Sequence, residues 1–179
     1  RSVASGSCNR RPPYHATIGR STAMSPAWVA LGANLDDPRT TLRRALRWLD
    51  ALPQTRVQAT SSFHRTAPVG PPQPDFLNAV VRLETRLSPL DLLSALQTLE
   101  RAAGRQRLVH WGPRTLDLDL LLMGHDGRTT ITHPSLTLPH PRLHQRAFVL
   151  APLAEIDPDL RLVEGLTVRA CLATLSGSG

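Results

Sequence analysis

The chain has 179 residues, 41% of them hydrophobic and 20% charged, with a formal net charge of +7 and a pI near 11.2. That length suits one domain with a buried core, and no apolar run approaches the roughly 18 residues of a membrane-spanning helix. All 21 basic residues are arginine. This excludes a Walker-type phosphate loop, whose lysine reaches the terminal phosphates, and leaves anion binding to the planar guanidinium fork.

Residues 1–26 are rich in Ser, Arg and Pro and lack hydrophobic periodicity. They are expected to form a disordered basic tail ahead of a single domain over 27–179. From Met24 onward 17 arginines face 14 acids, so the excess basicity is partly a property of the tail and a weak sign of nucleic-acid binding. The tail composition is like that of a transit peptide; upstream translated sequence, with Met24 as the natural start, is the favoured reading. Cys8 and Cys171 lie at opposite ends and make neither a disulfide framework nor a metal spacing, which fits a reducing, cytoplasmic setting.

In chain order, "AWVALGANL" predicts a buried strand ending at Gly32. A helix follows, capped by Asp37 and started by Pro38, with Leu42, Leu46 and Leu49 inward. "TRVQATSSFHRTA" alternates as one strand, with Val57, Ala59 and Phe63 on one face. Four prolines and a glycine make Pro68–Pro74 a stiff exposed loop. "FLNAVVRLETRL" is a second alternating strand. The next helix is capped by Ser88, begun by Pro89, favoured by Asp91 in its first turn and stopped by Gly104. A basic loop, "RQRLVHWGPR", leads into the strand "TLDLDLLLM". Then come a Pro/His-rich segment, a helix "QRAFVLAPLAEI" in which Pro152 starts a new turn or makes a kink, and a closing helix with Val168, Cys171, Leu172 and Leu175 on one side. The order is β-α-β-β-α-β, the plan of an α+β ferredoxin-like sandwich: a mainly antiparallel sheet with its two main helices on one face.

The aspartate strand carries the sharpest signal. Leu116, Leu118 and Leu120 point one way, and Thr115, Asp117 and Asp119 the other. Two carboxylates on one face, about 6.5–7 Å apart at Cα, repel unless a cation or water lies between them. They are either a solvated strand face or a site for Mg²⁺, which takes carboxylate oxygens and keeps room for phosphate. Arg105, Arg107 and Arg114 lie within about ten residues of the pair, as a polyphosphate site or as a solvated basic loop. Trp111 between them is a packing residue or a lid over a flat ligand. Phe76 and Asn78 share a strand face and would suit a planar heterocycle with an amide-like edge, or simply a core Phe beside a strand-end Asn. Gln97 and Glu100 share a helix face. His140 and Arg146 are further candidate anion contacts.

Read together, "ALGANL", "SSFHRTAPVG", "QPDFLNA", "WGPRTLDLDLLL" and "LPHPRLHQRAFVLAPL" resemble the 6-hydroxymethyl-7,8-dihydropterin pyrophosphokinases of folate synthesis, from about Ala27 to Leu160 and in the family's order. The resemblance implies transfer of the β,γ-pyrophosphate of ATP to the hydroxymethyl group of the reduced pterin, by in-line attack at the β-phosphorus with AMP leaving. It implies two Mg²⁺ ions bridging ATP to Asp117 and Asp119. It implies that Phe76 and Phe148 sandwich the pterin and that Asn78 hydrogen-bonds it. Thr66 and Val69 would add loop contacts, and Trp111 would close over the ring. Gln97, Glu100, Arg107, Arg114, Thr137, His140 and Arg146 correspond to ATP-side residues, and Arg105 and Arg114 to arginines assisting the chemical step. The loops 68–74 and 105–110 would be lids that exclude water. Phe76 stands where the family often has tyrosine, and Pro141 where an aromatic is common. The expected enzyme is a cytoplasmic monomer with neither nucleic-acid nor membrane partners. The alternatives are a two-metal nucleotidyltransferase, which would release pyrophosphate instead of AMP, and an RNA-binding ferredoxin-like module, whose aromatic motif this chain lacks.

Overall fold

Two helices begin where a capping side chain precedes a proline. Asp37 accepts the Thr40 N–H at 3.1 Å ahead of α1 (Pro38–Asp50), and Ser88 accepts the Asp91 N–H at 3.2 Å ahead of α2 (Pro89–Ala102). Each cap satisfies one of the donors a helix start leaves free, and the proline lacks a donor where none is needed. Beyond the end of α2, Gly104 takes a φ of +83°, where a side chain would be strained. The computed structural model describes residues 20–68, 70–104, 114–162 and 165–177. The basic loop with Arg105 and Arg107, together with Trp111, Val69 and the first 19 residues of the tail, lies outside the described residues.

The main sheet is built from β1 (Arg20–Ala33), β2 (Thr55–Thr60), β3 (His64–Thr66), β4 (Phe76–Leu87) and β5 (Asp117–Met123). Its order is β2-β4-β1-β5, with β3 continuing beside β4, and every pairing is antiparallel. This is the ferredoxin-like sandwich expected from the element order. One face is covered by α1 and α2. Leu42, Leu49, Leu92, Leu96 and Leu99 pack there on Val29, Leu31, Leu83, Leu118 and Leu120. The other face is covered in part by α3 (Ala147–Ile156) and α4 (Val168–Ser176), through Val149, Leu150, Leu153 and Val168 against Trp28, Val80, Leu121 and Leu122. The largest fully buried side chains are all leucines, each worth roughly 1.5–3 kcal/mol of burial. Phe76 and Phe148 are left half-buried outside that core.

Three features depart from the expected elements. Strand β1 reaches back into the segment expected to be tail: Ser25 and Pro26 pair with Thr85 and Glu84. The single strand expected after α1 is two, because Ser61 leaves the ladder. Its N–H bonds the Val80 carbonyl at 3.0 Å, and its Oγ takes the Val80 N–H at 3.0 Å. A register shift between Val57 and Ala59 precedes the break. The Pro/His-rich segment contains a hairpin, β6 (Ile131–His133) and β7 (Leu136–Leu138), too short to show a periodicity. The helix expected around Pro152 is present: the proline lies buried inside α3, which continues to Ile156.

Candidate functional site

Beyond Ala30 and Val80 the second face of the sheet is not covered by α3, and the strand register decides what lies there. One rung of the sheet runs His64, Asn78, Gly32, Asp117, and a second runs Val80, Ala30, Asp119. Neighbouring strands lie about 4.8 Å apart, so Asn78 and Asp117 stand about 9.5 Å apart at Cα with Gly32 between them. A Cβ on Gly32 would meet Asn78 Oδ1 at 3.2 Å and the Phe76 ring at 4.0 Å. The glycine, with Ala30 beside it, lowers the floor of a cleft of about 550 Å³.

This cleft brings together Thr66, Phe76, Asn78, Arg114, Asp117, Asp119, Arg146 and Phe148. A second pocket of about 340 Å³ brings together Gln97, Glu100, Thr137 and His140, and Asp119 lines it too. Asp119 is therefore the wall the two pockets share. Arg114 and Arg146, expected among the ATP-side residues, line the larger cleft instead of the smaller pocket. Val69, Arg105, Arg107 and Trp111 lie outside the described residues.

The local chemistry explains the placement. The Arg114 guanidinium donates to Asp117 Oδ2, and Arg146 lies 3.5 Å from Asp119 Oδ2, so each carboxylate has its own cation. Glu100 is only 4% exposed, and its Oε1 accepts the Leu118 N–H at 2.8 Å. It pins the backbone between the two aspartates from the α2 side. Asn78, itself buried, donates from Nδ2 to Thr66 Oγ1 at 2.7 Å. Burial, then the nearby Arg146 and Arg142, hold the His140 imidazole below its ordinary pKa, so it is neutral at pH 7. His140 Nδ1 accepts the Arg142 N–H at 3.2 Å, which leaves the proton of the neutral ring on Nε2.

Among the described residues no three His, Cys, Asp or Glu side chains gather into a metal cage. Two carboxylates facing an open cleft suit a hard cation that keeps waters and takes its remaining ligands from phosphate. The residues present therefore fit Mg²⁺. A cleft with half-buried aromatic rings, a polar pocket beside it and a carboxylate pair at their junction can bring a flat heterocycle and a polyphosphate together.

The sequence expectations did not name Gly32, Ala30, Asn34, Arg142 and Gln145 as site residues. The first two carried a signal: along β1, small Ala30 and Gly32 alternate with large Val29 and Leu31, the mark of a strand with one face packed and the other closely approached.

The sequence model of the family described as 7,8-dihydro-6-hydroxymethylpterin-pyrophosphokinase matches residues 28–158. A Pseudomonas aeruginosa protein named 2-amino-4-hydroxy-6-hydroxymethyldihydropteridine pyrophosphokinase is 47% identical over 153 residues, covering 85% of this chain and 93% of its own. A Haemophilus influenzae protein of the same name is 49% identical over 140 residues, covering 78% and 86%. Among solved structures, Plasmodium falciparum HPPK-DHPS with pteroate superposes with a TM-score of 0.71 at 14% identity, over 89% of this chain and 44% of that longer one, a likeness of fold.

Proposed function

This chain belongs to the 7,8-dihydro-6-hydroxymethylpterin-pyrophosphokinase family, and on that premise we propose that its two pockets and the aspartates between them carry out the family's reaction. The enzyme transfers pyrophosphate from ATP to 6-hydroxymethyl-7,8-dihydropterin, giving AMP and the pterin diphosphate, a step of folate biosynthesis. The pterin lies in the larger cleft between Phe76 and Phe148, its polar edge toward Asn78 and Thr66. The nucleoside part of ATP lies in the smaller pocket against Gln97, Thr137 and His140, and its phosphates pass Asp119 into the cleft. The single observation carrying this reading is that Asp119 lines both pockets.

Asp117 and Asp119 would hold two Mg²⁺ ions. When bound, these neutralise charge on the β- and γ-phosphates. Arg114 and Arg146 balance the carboxylates in the free chain and grip phosphate oxygens in the loaded one. The family resemblance would give Val69 and Trp111 roles toward the pterin and Arg107 a role toward ATP, with Arg105 and Arg114 assisting the chemical step. Glu100 acts through the backbone by fixing Leu118 between the metal ligands. With the reacting groups held in line, catalysis is positioning and electrostatic stabilisation, with no covalent intermediate.

We take the enzyme to act as a monomer. No helix among the described residues is long and apolar enough to cross a membrane. We place the enzyme in the cytoplasm, without nucleic-acid partners.

The test is a count of bound ions. Mn²⁺ titrated by electron paramagnetic resonance, with a non-hydrolysable ATP analogue and the pterin present, should reach two per chain, and fewer on Asp119→Asn. An unchanged count on Asp119→Asn would refute the assigned ligand.

A further inference from the structure

Asn34 follows the last residue of β1, just past the floor of the cleft, and is only 3% exposed. Its side chain joins two segments that do not otherwise belong together. Oδ1 accepts the Arg114 N–H at 2.8 Å. Nδ2 donates to Gln73 Oε1 at 2.9 Å and to the Pro74 carbonyl at 3.0 Å. The Asn34 N–H also donates to the Arg114 carbonyl at 3.1 Å. One buried amide thus ties the end of the proline-rich loop, just before Phe76, to the residue whose guanidinium pairs with Asp117.

We propose that Asn34 is a positioning residue for pyrophosphoryl transfer, one that couples the pterin-side loop to Arg114. This rests on the site reading above. The chemistry calls for an amide. An apolar side chain could fill the space but would hold neither segment in register. An aspartate could accept from Arg114 but would turn an oxygen toward the Pro74 carbonyl and Gln73 Oε1. Only a group with an acceptor on one side and two donor hydrogens on the other meets both segments. Satisfied buried polar groups specify a single geometry more strictly than apolar packing does. The two segments so fixed carry the aromatic that stacks on one substrate and the cation that faces the other.

The two arms of the amide separate in kinetics. Asn34→Asp keeps the acceptor for Arg114 and loses the loop. Its KM for pterin should rise about tenfold, with the KM for ATP and kcat within about threefold of the parent. Asn34→Ala loses both arms, and its kcat should fall about tenfold as well. Gln73→Ala, which leaves the Pro74 bond, should raise the pterin KM by less than Asn34→Asp does. Added to Asn34→Asp it should change nothing further, because the contact is already gone. Thermal unfolding of each variant is measured alongside. A purely structural asparagine would lower the midpoint and leave both KM values unchanged, or move them equally; either result overturns the proposal. If Asn34→Ala does not fold, Asn34→Asp and Gln73→Ala decide. Phe148→Ala and Asp117→Asn serve as controls. If both keep normal kinetics, the site reading itself is wrong and the coupling falls with it. If they lose function while the Asn34 variants do not, the site reading stands and only the coupling is refuted.

Discussion

Replacing Gly32 by alanine should harm pterin binding while leaving the fold as stable as before. The added Cβ would sit 3.2 Å from Asn78 Oδ1 and 4.0 Å from Phe76. At 3.2 Å the Asn78 amide must give by a few tenths of an ångström. It is held on its other side by the 2.7 Å bond to Thr66, so the shift tilts it away from the cleft. A misaligned hydrogen bond to the ligand costs about 1–1.5 kcal/mol, roughly five- to tenfold in pterin KM. The fold feels opposing terms. Alanine in a strand interior is favoured over glycine by about 0.5–1 kcal/mol, and the tight contact returns a similar amount. The unfolding midpoint should therefore stay within about 3 °C of the parent. The assay is steady-state AMP release with each substrate varied, beside a thermal melt. Gly32→Val should be worse in the same direction. A pterin KM unchanged in Gly32→Ala, or an ATP KM raised equally, would mean that the Asn78–Gly32–Asp117 rung is not the pterin floor.

Three further outcomes are expected. Phe148→Ala should raise the pterin Kd by at least tenfold, since an aromatic contact contributes about 0.5–1.5 kcal/mol beyond its burial, and leave ATP binding nearly unchanged; equal loss for both ligands in calorimetry would count against stacking. Burial would raise the Glu155 carboxyl, but bonds from Ser62 Oγ and N–H and from His64 outweigh it and hold the pKa below its ordinary value of 4.5. A carboxylate depressed in the folded state contributes stability that is whole above the unfolded pKa and lost as pH falls through the folded one. Glu155→Gln should therefore melt below the parent at pH 6, with the gap closing below about pH 4.5; a gap that stays constant to pH 3 would contradict the assignment. Thr85→Val should cost about 1–3 kcal/mol in urea unfolding with activity intact, because the fully buried Thr85 hydroxyl bonds Thr55 at 2.7 Å and takes the Leu87 N–H at 3.1 Å; an unchanged urea midpoint would mean that this pair carries no stability.

Much of the fold was legible because its signals are local. A cap followed by proline starts both main helices, and Leu118 and Leu120 alternate against Asp117 and Asp119 as a half-buried strand requires. The break at Ser61 was not legible, because a hydroxyl replacing a ladder bond leaves the alternation of Thr, Ser and Ala unchanged. Nor was the β6–β7 hairpin, whose strands of three residues carry no period. Within the site, residue types pointed to the aspartates, Phe76 and Asn78, the family resemblance added Phe148, and the cleft gathers them. What local pattern does not carry is which residues from distant segments share a wall. That Asp119 faces both pockets follows from the antiparallel register of β1 and β5 and from the bend of the chain through His140. That Glu100 is buried against Leu118 follows from the packing of α2 on β5. Asn34 carries no local pattern that marks it, because its partners lie 39 to 80 positions away.

The most direct test of the central claim is AMP formation from ATP by purified Asp117→Asn, with Mg²⁺ and 6-hydroxymethyl-7,8-dihydropterin, beside the parent and with folding checked by circular dichroism. Removing the charge of Asp117, proposed as a metal ligand beside Asp119, should leave a folded chain whose pterin-dependent AMP release falls by at least about 10³-fold. A folded Asp117→Asn that releases AMP at a rate close to the parent's would show that the aspartate pair is not where the transfer takes place.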